Sequence, residues 1–263
     1  MAEDGIGGVK SARRVLELLE HLAERPDGAT FPQLLEDLSL PKSSLYGLLT
    51  TLVDQGWAYL HEPTRRYRIG LRLWHAAQGF SQFDALAQIA QKHLEAVRDE
   101  LNETVQLAVL EGTDNVYITK VESDHPLRLV SHVGARLPAY ATGLGKVLLA
   151  SLEPDEFRHR MSTVTMQPFT HNTVTSVEEL DRQLATIRAR GYGEDEGEYT
   201  VGVYCLAVPT FGANGETIAA MSCSVPNVRF GGTEQERAKL LSSLTRHAKA
   251  LSEEFAAPSA HRR

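Results

Sequence analysis

The stretch "LPKSSLYGLLTTLVDQGWAYL", residues 40–60, opens on a proline-tightened turn, runs through a leucine-rich segment and leaves it at a glycine. Leu45, Leu48, Leu49 and Leu52 fall at i, i+3, i+4 and i+7, so the spacing predicts a helix with one buried face. The opposite face carries Ser43, Ser44, Tyr46, Gly47, Thr50 and Thr51. It holds hydroxyls and no acid. Such a face suits either plain solvation of a small helical domain or contact with the phosphates and base edges of DNA. The flanking sequence weighs between the two.

Upstream, Val9, Ala12, Val15, Leu16, Leu19 and Leu22 repeat at helical spacing, and "RPDG" ends that segment. Thr30 is an N-cap for "FPQLLEDLS", with Pro32 in the first turn, where its missing N–H is harmless. "SLPK" is a tight turn into the quoted helix. Downstream, Trp57, Tyr59, Tyr67 and Ile69 alternate with polar residues around "EPTRR", which reads as a two-stranded hairpin. Three helices with a short middle one, a tight turn and a hairpin make a winged helix-turn-helix, whose third helix enters the major groove. Between residues 39 and 72, five basic residues face two acidic ones, a local balance of +3, whereas residues 1–83 together sum to −1. Positive charge is thus concentrated at the third helix and wing.

The whole chain of 263 residues carries a net charge of −7, which argues against indiscriminate coating of nucleic acid but leaves room for a locally basic face. Its length suits about two domains. No apolar run approaches the ~20 residues that cross a bilayer. The start, "MAEDGIGGVKSARR", lacks the apolar centre of a signal peptide, so a cytoplasmic protein is expected. Two cysteines, Cys205 and Cys223, with no CxxC or HExxH pattern, signal neither a disulfide framework nor a zinc site. No metal or cofactor is expected.

The remainder alternates helices and hairpins. Residues 71–83 read as a helix linking two domains, and "DALAQIAQKHLEAVRDELN" as a longer amphipathic helix. "TVQLAVLEGTDNVYITKVES" is a hairpin around "GTDN", followed by a strand over "LRLVSHVG". "TGLGKVLLASL" and "SVEELDRQLATIRARGY" are helices, the second with Ser176 and Glu179 in capping-box register and Gly191 as its stop. "VYCLAVPTFGANGETIAAMSCSV" is a second hairpin, "TEQERAKLLSSLTRHAKALSEEF" a closing helix, and "AAPSAHRR" a disordered tail. Helices enclosing an antiparallel sheet give an α+β domain of sensor type. "GLGK" is no phosphate loop: Val147 follows Lys146 where Ser or Thr belongs, and Tyr140 stands where the first glycine would be. It reads better as a helix N-terminus, whose N–H groups favour an anion.

"LPKSSLYGLLTTLVDQGW", "RRYRIGLRL", "LPAYATGLGKVLLA", "GYGEDEGEYTVGVYCLAVPTFGANG" and "AAMSCSVP", in this order over about residues 8–255, resemble the IclR family of bacterial transcriptional regulators. The resemblance implies a winged helix-turn-helix over residues 1–70, a linker helix over 71–83 and a GAF-like, antiparallel-sheet effector-binding domain over 84–263. It also implies a homodimer or tetramer on palindromic, double-stranded operator DNA. Many relatives carry Arg in the recognition helix where this chain has Gly47, so the bidentate reading of guanine by Arg is missing.

Lys42, Ser43, Ser44, Tyr46 and Thr50 are the expected DNA contacts on the helix, with Arg65 and Arg66 at the tip of the wing. For the effector, the resemblance points to Leu144, Gly145, Asp195, Cys205, Ser222 and Ser224, residue types that suit a small organic acid, either an aromatic one or a 2-oxo or hydroxy acid. The strand period independently puts Ser222 and Ser224 on one face with Cys223 on the other, and groups Val203, Cys205 and Ala207. Gly145, Ser222 and Ser224 are expected to donate to a carboxylate. Asp195 is expected to accept from a ligand hydroxyl or to order its loop. Tyr140, Met221 and Phe211 are candidates for an apolar wall, and His132 and His171 for the rim. The alternative is a cysteine-dependent enzyme using Cys205, which needs a base and an orienting group within reach.

Overall fold

Leucine spacing organises the N-terminal unit. The computed structural model describes residues 9–77, 81–126 and 131–257, and the chain divides into two units, Met1–Ser81 and Gln82–Arg263. In the first, helices α1 (Lys10–Ala23), α2 (Phe31–Leu38) and α3 (Lys42–Asp54) close on one core made by Leu18, Leu22, Leu34, Leu45, Leu49 and Leu52. Truncating any one of these leucines to Ala would cost ~2–5 kcal/mol. Thr30 starts α2, its N–H donating to Gln33 Oε1 at 2.9 Å. Only three residues separate α2 from α3, and Ser39 takes the left-handed conformation (φ 49°) to turn the chain.

Beyond α3 the chain reverses at Gly56 (φ 75°), a conformation that costs a glycine nothing. Strands β2 (Ala58–His61) and β3 (Arg66–Ile69) then pair antiparallel, Ala58 opposite Ile69 and His61 opposite Arg66. This is the expected wing. A two-residue strand, β1 (Ala29–Thr30), joins it through Ala29 opposite Tyr67, too short to leave any period in the sequence. Helix α4 (Leu71–Ala77) follows. The predicted helix over 71–83 is thus helical as far as Ala77; residues 78–80 lie outside the described residues, and Ser81 opens the next helix.

The second unit is a six-stranded sheet between helical layers. Its elements are α5 (Ser81–Leu101), β4 (Thr104–Glu111), β5 (Asp114–Val121), β6 (Arg136–Pro138), a 3₁₀ turn (Ala139–Ala141), α6 (Gly143–Ala150), α7 (Pro154–Met161), α8 (Val177–Arg190), β7 (Gly193–Glu196), β8 (Val203–Phe211), β9 (Thr217–Pro226) and α9 (Glu234–Ala256). The strand order is β6-β5-β4-β9-β8-β7, every pair antiparallel. One face packs Leu107, Leu206, Met221 and Cys223 against α5 and α9. The other packs Ala108, Ala207 and Ala220 against α6, with α7 and α8 behind. Both hairpins fall where predicted. The strand predicted over "LRLVSHVG" is partly outside the described residues (127–130), Ser131–Gly134 is not strand, and the sheet's edge is β6 instead. The tail from residue 258 lies outside the described residues.

Caps fix helices of both layers. Thr142 Oγ1 accepts from Gly145 N–H at 3.0 Å and starts α6. Ser176 accepts from Glu179 N–H at 3.3 Å to start α8, but the Glu179 carboxylate pairs with Arg182 instead of closing the box. Thr233 and Glu236 form the full reciprocal box at the head of α9. Gly191 ends α8 at φ 81°.

Gly47 sits in mid-helix on the open side of α3, and a Cβ there would meet nothing within 4 Å. Gly47→Ala should therefore stabilise the protein by ~1 kcal/mol, through helix propensity alone. Urea unfolding followed by circular dichroism would register it; a destabilised variant would mean that the open space is illusory.

Candidate DNA-reading surface and effector site

Turn and core together push one side of α3 outward. Lys42, Ser43, Tyr46 and Thr50 are exposed, Tyr46 at 65% despite its size, while Ser44 is half-buried. Ser44 Oγ accepts from Arg14 Nη1 at 3.2 Å, which brings an α1 arginine to the head of α3. Sequence reasoning missed Arg14, since thirty positions separate the pair. The hydroxyls of Thr50 and Thr51 donate back to the carbonyls of Tyr46 and Gly47, each at 2.9 Å, and keep their lone pairs as acceptors.

The five basic residues of this region divide. Arg65 sits exposed at the wing tip with φ 52°, paired to Glu62. Arg66 departs from the expectation of a free tip residue: it is half-buried, and its Nη1 donates to the Gly28 carbonyl at 2.8 Å, bracing the wing. Arg72 donates to the Gln55 carbonyl at 3.0 Å and lies 5.6 Å above the Trp57 ring. Lys42 and Arg65 remain the outward charges among the expected contacts.

In the second unit, sheet register gathers polar side chains from distant parts of the chain. Asp195 lies opposite Cys205, Cys205 opposite Ser224, and Ser222 opposite Gln106. All are buried. Ser224 Oγ donates to Gln106 Oε1 at 3.1 Å and Ser222 Oγ to the same oxygen at 3.4 Å, while Gln106 Nε2 donates to Ser131 Oγ at 2.9 Å. Cys223 points into the opposite core, as the period of two requires. Gln106, a polar residue inside the apolar run "TVQLAVL", was the overlooked signal of this site.

Helix α6 closes the site from above. A Cβ on Gly143 would stand 3.6 Å from Cys205 Sγ and 3.5 Å from Asp195 N. The glycine that meets the site is thus Gly143. Gly145 packs instead on Ala139, whose Cα would lie 2.2 Å from a Cβ there, and its N–H is consumed by Thr142. This removes Gly145 from the expected donors. Leu144 is buried, in the core beneath α6. Tyr140 is buried too, its hydroxyl donating to the Gln167 carbonyl at 3.0 Å. Met221 belongs to the opposite face of the sheet and Phe211 is 41% exposed, so neither walls the site. His132 and His171 are exposed.

The charges are managed internally. Lys146 is buried and ion-paired with the buried Glu198, with Gln183 Oε1 accepting a second bond at 3.1 Å. Asp195 Oδ1 accepts from Glu198 N–H at 2.6 Å. Burial pushes the Asp195 carboxyl up to about 7; the Glu198 charge adds to this, while backbone N–H groups and Lys146 oppose it. Burial likewise pushes the Cys205 thiol up to about 12, with the charge of Asp195 acting in the same sense. A nucleophilic cysteine needs the reverse shift and a base. The thiol instead lies 3.4 Å from Ser224 Oγ, whose proton goes to Gln106, and has no base hydrogen-bonded to it among the described residues, which disfavours the enzyme alternative. Among the described residues, no three His, Cys, Asp or Glu side chains are grouped to hold a metal ion, and no helix is long and apolar enough to cross a membrane.

A winged helix-turn-helix followed by a sheet domain with an enclosed polar site defines a DNA-binding transcriptional regulator. Family models place it: the bacterial transcriptional regulator IclR C-terminal domain matches residues 81–253, and the IclR helix-turn-helix domain matches residues 11–61. The chain belongs to the IclR family. It is 33% identical over 251 residues to the HTH-type transcriptional regulator KdgR of Dickeya chrysanthemi, covering 94% of this chain and 80% of that one. It is 33% identical over 226 residues to the transcriptional repressor IclR of Escherichia coli (strain K12), covering 85% and 82%. An IclR homolog from Microbacterium hydrocarbonoxydans, crystallised in complex with 4-hydroxybenzoate, superposes with a TM-score of 0.76 at 26% identity, covering 93% of this chain and 100% of that one.

Because the folded protein holds the Asp195 proton up to about 7, against an ordinary 3.8, the unfolded chain releases it first. Stability therefore falls as pH rises between these values, and the whole cost is present above 7. Asp195→Asn keeps the acceptor for Glu198 N–H without the charge. Its melting temperature should gain on that of the wild type between pH 5 and pH 8. A difference that stays constant with pH would show that the carboxyl ionises freely in place.

Proposed function

We propose that α3 and the β2–β3 wing bind double-stranded operator DNA, and that the C-terminal unit binds a small organic acid that alters this binding. The sensing half rests on one observation: Gln106, Asp195, Cys205, Ser222 and Ser224 put buried polar groups on one sheet face under the head of α6. Buried polar groups cost stability unless they are satisfied, and a cluster of them on one sheet face suits the recognition of a polar ligand. Asp195, Cys205, Ser222, Ser224 and Leu144 are the proposed effector contacts. The 4-hydroxybenzoate held by the Microbacterium relative favours an aromatic acid here.

Operator binding is assigned to Lys42, Ser43, Ser44, Tyr46, Thr50 and Arg65, with Arg66 as a brace and Arg14 as a further phosphate contact. The protein acts as a homodimer or tetramer on a palindromic site in the cytoplasm, residues 71–83 joining the reading unit (1–70) to the sensing unit (84–263). The effector acts by favouring one of two pre-existing arrangements.

Fluorescence anisotropy with DNA from upstream of the protein's own gene and its neighbours tests both halves. Binding should resist scrambled competitor and should change on titration with aromatic or 2-oxo acids. Equal affinity for scrambled DNA, at two salt concentrations and across a genome-wide pull-down, would sink the proposal. Lys42→Ala should weaken binding to every sequence and reduce the slope of log K against log salt by ~1. An unchanged slope would remove Lys42 from the phosphate contacts.

A further inference from the structure

The middle of α3 is short of donors. Opposite its leucine face stand Ser43, Gly47 and Thr50, with Thr51 on one flank and Tyr46 on the other, all exposed. Thr50 Oγ1 donates to the Tyr46 carbonyl and Thr51 Oγ1 to the Gly47 carbonyl, each at 2.9 Å. A hydroxyl has one proton, so both threonines are left with lone pairs and a methyl group to offer. The back-bond also holds χ1, which keeps each oxygen and methyl in one place. Gly47 adds no side chain, and a Cβ there would meet nothing within 4 Å. The remaining side-chain donors on α3 are Lys42, Ser43 and Ser44 at its head and the Tyr46 hydroxyl on the flank. Asp54, in the last turn, adds only acceptors.

Base pairs respond differently to such a surface. In the major groove guanine presents only acceptors, N7 and O6, which oppose lone pairs. Adenine presents its N6 amino donor, and its partner thymine a C5 methyl group. Cytosine also presents a donor, but a G·C pair carries no methyl group. An A·T pair therefore matches both things that the middle of α3 has to offer, whereas a G·C pair matches one and sets the guanine edge against it. We infer that the middle of α3 selects A·T pairs in the operator, a thymine methyl seated in the gap at Gly47 beside the methyls of Thr50 and Thr51, and an adenine amino group donating to a threonine oxygen. This rests on the operator reading above and adds to it the class of base that α3 reads. Gly47 and Thr51, which carry no contact in that reading, become specificity-determining residues.

Full-length protein would select duplexes from a random-sequence library, and the selected duplex would be titrated by anisotropy at fixed salt. Each half-site should contain A·T pairs whose exchange for G·C weakens binding ~5- to 100-fold. Replacing the thymines of those pairs with uracil, which removes only the methyl group, should weaken it ~4-fold per seated methyl. In the Thr50→Ser, Thr51→Ser double variant, which keeps both hydroxyls, the uracil penalty should vanish. Gly47→Arg, for which the helix has room, should select a guanine within the A·T positions, since arginine donates to N7 and O6. A wild-type consensus with guanine or cytosine at every discriminated position would overturn the inference, as would an unchanged consensus from Gly47→Arg. A G·C penalty with no uracil penalty would also overturn it, by placing the preference in DNA shape. So would a uracil penalty that survives in the double variant, by seating the methyl elsewhere. If selection returns no consensus at all, the operator reading falls and the base assignment with it.

Discussion

Lys146 brings a full positive charge into the interior of the sensing unit, and much around the site is arranged to accept it. Its partner Glu198 is buried as well, and three groups of that residue tie down different elements. The carboxylate holds α6 through Lys146. The N–H holds Asp195, and the carbonyl accepts from Thr173 Oγ1 at 2.5 Å and Thr170 Oγ1 at 3.2 Å in the loop after α7. Gln183 adds α8 to the same node. Removing one member of a buried pair leaves an unpaired charge, at a cost of ~3–5 kcal/mol. The turn after β7, the loop before α8 and the head of α6 therefore form one cooperative assembly, and Asp195 stands where that assembly meets the buried polar cluster.

Close approach of α6 to the sheet depends on missing side-chain volume. Ala108, Ala207 and Ala220 form a low floor, and Gly193 lies so near that a Cβ would stand 2.8 Å from Val147 Cγ2 and 2.9 Å from the Gly143 carbonyl. A rigid helix terminus is thus held over a rigid sheet, which preorganises a ligand site better than loops would. Preorganisation also makes sensing possible. Only a ligand that prefers one arrangement of a protein can shift its balance, and a site with fixed donors has such a preference.

Much of the architecture could be read directly from the residues because its signals are local. Helix α3 announced itself by four leucines, α6 by its apolar run, α8 by its cap, and the two long hairpins by alternation around "GTDN" and "ANGE". What escaped is short or long-range. Strands β1, β6 and β7 have two to four residues, too few for a period to appear. Helix α7, "PDEFRHRM", buries only Phe157 and Met161 and carries no apolar stripe, although Pro154 at its start was a usable sign. In the site, alternation correctly separated Ser222 and Ser224 from Cys223. The choice between Gly143 and Gly145 turned on which glycine faces Cys205, a matter of tertiary packing. Asn115 and Thr142 meet across twenty-seven positions, and no spacing rule anticipates that.

The two-sidedness of β9 has a consequence for how this protein can change. Ser222 and Ser224 join the polar cluster around Gln106 while Met221 and Cys223 fill the core against α5 and α9. A single-residue slip would exchange the two sets, putting hydroxyls into hydrocarbon and a methionine into the polar cluster. Insertions and deletions in this strand are therefore closed as routes to new ligand preferences. Substitution at every second position is open, because each such residue can be exchanged without disturbing the layer behind it. The sheet works as a keyboard with fixed and movable keys in strict alternation, and a new chemical signal would be acquired by retuning the movable ones alone.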